Sequence, residues 1–160
     1  MHEKSIDLLN QAIADELSAV HQYMYFHFHC DDQGYGLLAD LFRKTAIEEM
    51  MHAERIGERV LFLGGDVELK PNADVQKIQS VPEILATAKG MEEAAVTMYN
   101  KFANQCAGHG DNVSKKLFEE LIVDEEGHYD QFDTQEGHVK KFGEQWLALQ
   151  TMEKPAAEGA

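Results

Sequence analysis

The chain has 160 residues, which predicts a single domain that is long enough to bury a substantial core. Its net charge of −15, from 29 acidic and 14 basic residues, argues against nucleic acid or an anionic membrane as a partner. No apolar run approaches the roughly 20 residues of a membrane span. No apolar segment of the signal-peptide kind follows the first residues, so we expect a cytoplasmic protein.

The first predicted helix spans about residues 3–32, because its apolar residues recur at steps of three and four. Glu16 falls on this apolar stripe, at a position where leucine would be expected. A buried carboxylate without a partner costs several kcal/mol, so the position of Glu16 predicts a partner such as a metal ion. Tyr23 lies two turns further along nearly the same face. It is either a core tyrosine or a hydrogen-bond donor to a ligand carboxylate.

The second predicted helix spans about residues 36–63 and is closed by the pair Gly64-Gly65. Its apolar stripe is interrupted by Glu49 and His52, which form an E-x-x-H motif. Residues three apart on a helix lie on one face, about a turn apart. The carboxylate and the imidazole of this motif can therefore bind one metal ion.

Residues 64–81 form a long segment between the second and third predicted helices. At about 3.3 Å per residue, its 18 residues can run the full length of the bundle, whereas a tight antiparallel turn needs far fewer. The segment is therefore predicted to be a crossover connection. This topology places Cys30 and Cys106 at opposite poles of the bundle, where they cannot pair and are expected to be free thiols.

Three further helices are predicted, over about residues 82–107, 112–138 and Glu144–Met152. Asp111 or Asn112 is expected to cap the start of the fourth helix, and Gly143 is expected to end it. The predicted domain therefore comprises residues 1–154, and residues 155–160 are expected to be a disordered tail.

Polar residues interrupt the apolar stripes of these helices in the same way. Glu92 lies on the stripe of the third helix, and Glu125 and His128 form a second E-x-x-H on that of the fourth. Glu16 and Glu49 are 33 positions apart (49 − 16 = 33), as are Glu92 and Glu125 (125 − 92 = 33), and glycines mark the midpoint of both intervals. In an antiparallel hairpin, residues equally far from the turn lie at equal height. Two such hairpins side by side would bring these polar side chains to one level.

The predicted site is therefore a dinuclear metal centre in the middle of a helical bundle, with one glutamate from each of two helices and an E-x-x-H from each of the other two. Carboxylate-rich ligation suits iron or manganese better than structural zinc, which prefers thiolate and imidazole. The expected ligands are Glu16, Glu49, His52, Glu92, Glu125 and His128.

Three segments of the sequence resemble the bacterioferritin family: Asp15–Tyr23, Glu48–Glu54 and Asp124–His128. The similarity covers roughly residues 4–150. It implies an all-α, ferritin-like four-helix bundle with a long crossover and a short fifth helix. It also implies that the six ligands bind a di-iron centre at which Fe(II) is oxidised, and that Glu49 and Glu125 bridge the two irons.

The resemblance changes the interpretation of Met50. On the residues alone, Met50 follows Glu49 on the helix, points outward and is expected to pack or to contact another subunit. In the family, this position supplies the sulfur that binds haem iron together with the same residue of a second subunit. The resemblance therefore implies one haem for every two subunits, held by Met50 from each.

The family forms a hollow 24-subunit shell built from dimers, in which oxidised iron is stored as mineral. Fe(II) with O₂ or H₂O₂ would be the substrates, and an electron-donor protein would be a further partner. Lys44 and Glu48 stand where some members carry the His and Asp of an inner-surface iron site, so the sequence leaves that site open.

Three alternatives remain. A rubrerythrin-like di-iron peroxidase would add a C-x-x-C rubredoxin module or a further glutamate at the site, and the sequence shows neither. A Dps-type shell of 12 subunits places its site between chains and does not carry paired E-x-x-H motifs in one chain. A non-enzymatic helical adaptor would leave six polar residues on apolar stripes without a role.

Overall fold

The computed structural model describes residues 1–153, so the tail expected at residues 155–160 lies outside the described part of the chain. The described chain is helical, and the predicted all-α bundle with a short fifth helix is confirmed. The helices are α1 (Glu3–Asp32), α2 (Gly36–Phe62), α3 (Val81–Gly108), α4 (Asn112–Phe142) and α5 (Gln145–Glu153).

Two antiparallel hairpins build the bundle: α1 packs along α2, and α3 packs along α4. The turn between α1 and α2 contains Gly34 with a φ of 87°, and the turn between α3 and α4 contains Gly110 with a φ of 82°. Glycine adopts this left-handed conformation without the steric cost of a Cβ. The glycines that mark the midpoints of the two 33-residue intervals therefore form the turns that set the register of each hairpin.

The segment between α2 and α3 runs beside α1 over most of the length of that helix. Four side chains of α1 hold it by hydrogen bonds of 2.7–3.0 Å: Asn10 to Asp66, Ser18 to Asn72, Gln22 to Gln76 and Gln33 to Gln79. The partners advance along both segments together, so the connection runs parallel to α1 and returns the chain to the opposite pole. This is the predicted crossover, and it makes α3 run in the same direction as α2.

The core consists of two apolar clusters separated by a polar layer. One cluster surrounds Phe26, Phe42 and Phe132, and the other surrounds Leu9 and Tyr99. The first also contains Cys30 and the second Cys106, and both cysteines are buried and free, as expected. The polar layer between the clusters contains the glutamates and histidines that interrupt the apolar stripes of the helices.

α4 is longer than the sequence indicated, because it ends at Phe142 rather than near residue 138. Val139 packs into the first apolar cluster, and Lys140 pairs with Glu136 one turn earlier, at 3.1 Å. These contacts stabilise a further turn of helix, and Gly143, with a φ of 75°, ends it. Asp111 is the N-cap, since its side chain accepts a hydrogen bond from the backbone N–H of Ser114.

In the part of the chain that the structure describes, every helix is too short or too polar to cross a membrane.

Candidate metal centre

The six side chains expected to bind metal lie together in the polar layer at mid-bundle. Each has no more than 4% of its surface exposed. α1 and α3 contribute one glutamate each, and α2 and α4 contribute an E-x-x-H each. The six are Glu16, Glu49, His52, Glu92, Glu125 and His128.

The donor atoms form two overlapping groups, in each of which all ligand atoms lie within 4.8 Å of one another. The first group is Glu16, Glu49, His52 and Glu125, and the second is Glu49, Glu92, Glu125 and His128. Glu49 and Glu125 therefore belong to both groups, and each of the other four residues belongs to one. This is the geometry of two adjacent cation positions that share two carboxylates.

Each imidazole faces the glutamate of the opposite motif. The Nδ1 atom of His52 lies 2.8 Å from Oε1 of Glu125, and the Nδ1 atom of His128 lies 2.8 Å from Oε1 of Glu49. The two rings stack with their centroids 6.0 Å apart. The motifs of α2 and α4 are thus interleaved, and neither forms a separate site.

One donor atom from each of the six residues is buried and has no hydrogen-bond partner among the described residues. These atoms are Glu16 Oε2, Glu49 Oε1, His52 Nδ1, Glu92 Oε2, Glu125 Oε1 and His128 Nδ1. The short Nδ1–carboxylate distances therefore do not have the geometry of hydrogen bonds. Buried polar groups normally find partners, and six orphaned donors that converge on one volume fit a pair of bound cations.

The pKa values of these groups reflect the same crowding. Burial, reinforced by the charge of Glu16, raises the pKa of Glu49 well above its usual range, and burial with a contribution from Glu125 raises that of Glu92 to about 8. Burial alone would lower the pKa of His52, but the neighbouring carboxylates raise it to about 11. The metal-free site therefore takes up protons to offset its negative charge.

Two buried tyrosines bond to the two lone glutamates. The hydroxyl of Tyr23 donates to Oε1 of Glu92 at 2.6 Å, and the hydroxyl of Tyr99 donates to Oε1 of Glu16. Tyr23 was identified in the sequence as a candidate donor, whereas Tyr99 was interpreted only as a core residue. The role of Tyr99 could have been predicted from the spacing. Tyr99 follows Tyr23 by 76 positions, and Glu92 follows Glu16 by the same number (99 − 23 = 92 − 16 = 76).

Each histidine is also held from its outer side by an acidic residue that the sequence reasoning did not assign. Nε2 of His52 lies 3.0 Å from Oδ2 of Asp124, and Nε2 of His128 lies 2.5 Å from Oε2 of Glu48. Such a contact fixes the ring and leaves Nδ1 facing the centre. Both residues immediately precede the glutamate of an E-x-x-H motif. This shared position was the feature of the sequence from which their role could have been predicted. Together with Met51 they line an open depression between α2 and α4.

Met50 points away from the centre, as expected, and 52% of its surface is exposed. Ile47, one turn earlier on α2, is also exposed, at 37%. His27 bonds to the backbone of α2, and His138 packs on Trp146.

A four-helix bundle with one long crossover, one glutamate on each of two helices and an E-x-x-H on each of the other two defines a ferritin-like carboxylate protein. The family model described as Ferritin-like domain matches residues 6–142. The bacterioferritin of Brucella melitensis is 40% identical over 143 residues, which are 89% of this chain and 88% of that protein. The chain therefore belongs to the bacterioferritin family.

Solved structures agree with this assignment. The bacterioferritin of Desulfovibrio desulfuricans, whose structure describes the diiron site in different catalytic states, superposes with a TM-score of 0.90 and 36% identity over 98% of this chain and 94% of that one. The bacterioferritin of Rhodobacter capsulatus, solved with a metal-free dinuclear site and haem iron on a crystallographic special position, also gives 0.90 and 36%, over 100% of this chain and 98% of that one.

Proposed function

We propose that this chain is a ferroxidase subunit that oxidises Fe(II) at the buried dinuclear centre and contributes to iron storage and detoxification. The observation that carries the proposal is the set of six orphaned donor atoms, one from each predicted ligand, at a single height in the bundle. Four carboxylates confined to this volume are offset by two divalent cations, which makes Fe(II) a fitting substrate.

Each group of ligands has a distinct role in this proposal. Glu16 and His52 would hold one iron and Glu92 and His128 the other. Glu49 and Glu125 would be shared by both irons, since these two glutamates belong to both donor groups. The bound irons supply the redox chemistry: two Fe(II) give two electrons and, with two protons, convert O₂ to H₂O₂ or H₂O₂ to water.

The surrounding residues keep the ligands in place. Tyr23 and Tyr99 donate to the lone glutamates and fix the oxygens that face the centre. Asp124 and Glu48 bond to the outer nitrogens of the histidines, so Nδ1 of each ring is the nitrogen directed at the metal. The apolar clusters above and below the layer separate it from the two ends of the bundle.

We further propose that the subunits assemble as dimers into a 24-subunit shell and that Met50 binds a haem shared by two subunits. The exposed side chain of Met50, with the exposed apolar side chain of Ile47 one turn earlier on α2, supports an interface of this kind. The haem iron of the Rhodobacter capsulatus relative lies on a special position, as a ligand set contributed by two symmetric subunits requires. An electron-donor protein would then reduce stored iron through the haem.

The decisive experiment is anaerobic loading with Fe(II), followed by rapid mixing with O₂ or H₂O₂. We expect a fast ferric absorbance phase that saturates at two Fe(II) per chain. Glu92→Gln should abolish this phase, because it removes the charge of a ligand that is 1% exposed. Glu93→Gln is the matched control, since the exposed Glu93 lies next in the chain and should leave the phase unchanged. A fast phase of unchanged size in Glu92→Gln would overturn the proposal.

A rubrerythrin-like peroxidase is the alternative. Such an enzyme is expected to carry a further glutamate at the site, and the two donor groups found among residues 1–153 contain only the four glutamates already named. Light scattering on the purified protein separates a 24-subunit shell from a small peroxidase oligomer.

A further inference from the structure

A second cluster of metal-binding side chains lies at the end of the bundle where α3 turns into α4. Cys106 lies on the last turn of α3, His109 is the C-cap of that helix, and Asp111 is the N-cap of α4. Gly110, with its positive φ, turns the chain back between them. A thiol, an imidazole nitrogen and a carboxylate oxygen from six consecutive residues thus lie within 4.8 Å of one another.

The cluster is buried, and one of its donors is orphaned. Cys106 is 0% exposed and Asp111 is 2% exposed. Oδ1 of Asp111 accepts hydrogen bonds from Arg59 and from the backbone of Ser114, whereas its Oδ2 has no hydrogen-bond partner among the described residues.

The hydroxyl of Ser5, on α1, lies among these donors. Its Oγ is 2.7 Å from Nε2 of His109 and 3.6 Å from Sγ of Cys106. Ser5 thus places a polar atom, instead of an apolar side chain, beside the thiol and the imidazole. His109 gives access to this volume from solvent, because it is only partly buried and lines two adjacent surface depressions.

The other cysteine shows that this environment is not a general property of buried thiols in the chain. Cys30 packs in an apolar cluster with Phe26 and Leu38. Cys106 instead has an imidazole, a carboxylate and a hydroxyl beside it. A mixed sulfur, nitrogen and oxygen donor set suits Zn²⁺ and similar late divalent ions, unlike the all-oxygen-and-imidazole centre at mid-bundle.

We propose that Cys106, His109 and Asp111 form a second metal site that binds one Zn²⁺ or a similar late divalent transition ion per chain. The ion binds the thiolate of Cys106, an imidazole nitrogen of His109 and a carboxylate oxygen of Asp111, and the proton of the thiol is released to solvent. Because all three ligands belong to one turn, the ion cross-links the end of α3 to the start of α4. The site is independent of the dinuclear centre.

Co²⁺ is the probe for this site, because a cobalt–thiolate bond gives an intense near-ultraviolet charge-transfer band. The dinuclear centre contains no sulfur ligand, and the chain has two cysteines, so the band reports on Cys106 or Cys30 alone. The purified, assembled protein is titrated with Co²⁺ and then with Zn²⁺. Co²⁺ also fills the dinuclear centre, so the intensity of the band and not the total Co²⁺ added gives the occupancy of the thiolate site. We expect the band to reach the intensity of one thiolate-bound Co²⁺ per chain and to disappear when Zn²⁺ displaces the cobalt.

Variants decide the assignment. Cys106→Ser should lose the band, and the matched variant Cys30→Ser should keep it. His109→Gln changes a partly exposed residue, leaves both cysteines in place and should also lose the band. This second variant tests the site even if Cys106→Ser does not fold. Absence of the band in the wild-type protein at saturating Co²⁺, or its persistence in either Cys106→Ser or His109→Gln, would overturn the proposal.

Discussion

Tyr23 on α1 donates a hydrogen bond to a glutamate of α3, and Tyr99 on α3 donates to a glutamate of α1. Each phenol thus fixes the carboxylate contributed by the opposite helix. Both tyrosines are fully buried, and burial together with the charge of Glu92 beside Tyr23, or of Glu16 beside Tyr99, raises their pKa values well above the usual range. Both are therefore protonated donors at neutral pH.

Removal of either hydroxyl should weaken the centre without unfolding the bundle. In Tyr23→Phe and in Tyr99→Phe, one glutamate keeps its position on the helix but loses the donor that orients its carboxylate. We expect each variant to slow the fast ferric phase about 10-fold, as is typical for partners of metal ligands. Stopped-flow absorbance at two Fe(II) per chain measures the effect. Tyr25→Phe is the control, and equal rates in all three variants would show that the reciprocal bonds do not matter.

The acidic partners of the two histidines should behave as a matched pair. Asp124→Asn and Glu48→Gln each replace a carboxylate that bonds to an Nε2 atom, which should loosen the ring and lower the basicity of its Nδ1. We expect metal affinity to fall about 10-fold in each variant, measured by titration with a spectroscopic divalent cation such as Co²⁺. Glu126→Gln changes an exposed neighbour in the chain and should leave affinity unchanged. An equal loss of metal affinity in Glu126→Gln would show that the effect comes from the lost negative charge in general and not from the contact with a histidine.

The sequence predicted the fold and the six converging residues because both depend on periodicity and spacing. Each ligand interrupts an apolar stripe of its own helix, so Glu16 or Glu92 is visible without knowledge of how the helices pack. The equal 33-residue intervals then place them at one height, and glycine turns set that height. Periodicity and spacing can both be measured along the sequence without knowledge of the contacts between helices.

The residues that were missed depend on packing between helices. Tyr99 lies on an apolar stripe where an aromatic side chain needs no special explanation, and only the 76-residue correspondence with Tyr23 distinguishes it. Glu48 precedes a ligand in the chain and was not assigned a role at the centre. It reaches His128 only because α2 and α4 are neighbours in the folded bundle. The cluster around Cys106 depends in the same way on the turn geometry between α3 and α4.

The metal-free protein should become less stable as the pH rises from 6 to 8. The pKa of Glu92 is 4.5 in the unfolded chain and about 8 in the folded protein. The pKa of His52 is 6.5 in the unfolded chain and about 11 in the folded protein. Between the unfolded and folded values, the folded protein holds protons that the unfolded chain releases. The free energy of unfolding therefore falls with pH, by about 1.4 kcal/mol per pH unit for each such proton.

Urea unfolding at constant protein concentration, with a chelator present, measures this slope. Glu92→Gln should reduce it, because the amide has no proton to lose. Saturating Zn²⁺ or Fe(II) under anaerobic conditions should remove most of the dependence, since the cations replace the protons. A metal-free protein whose stability rises over this pH range would contradict the expected sign.

Met50→Leu should yield a protein that assembles and oxidises iron but binds no haem. Leucine preserves the apolar character of the exposed position and removes the sulfur, so the change is specific to metal ligation. We expect the Soret absorbance per chain, measured after reconstitution with haem, to fall to background while light scattering and the fast ferric phase remain unchanged. Met51→Leu alters the adjacent methionine, which is 55% exposed and lines the depression between α2 and α4. Loss of haem in Met51→Leu and retention in Met50→Leu would move the haem ligand to the other methionine and to another face of the subunit.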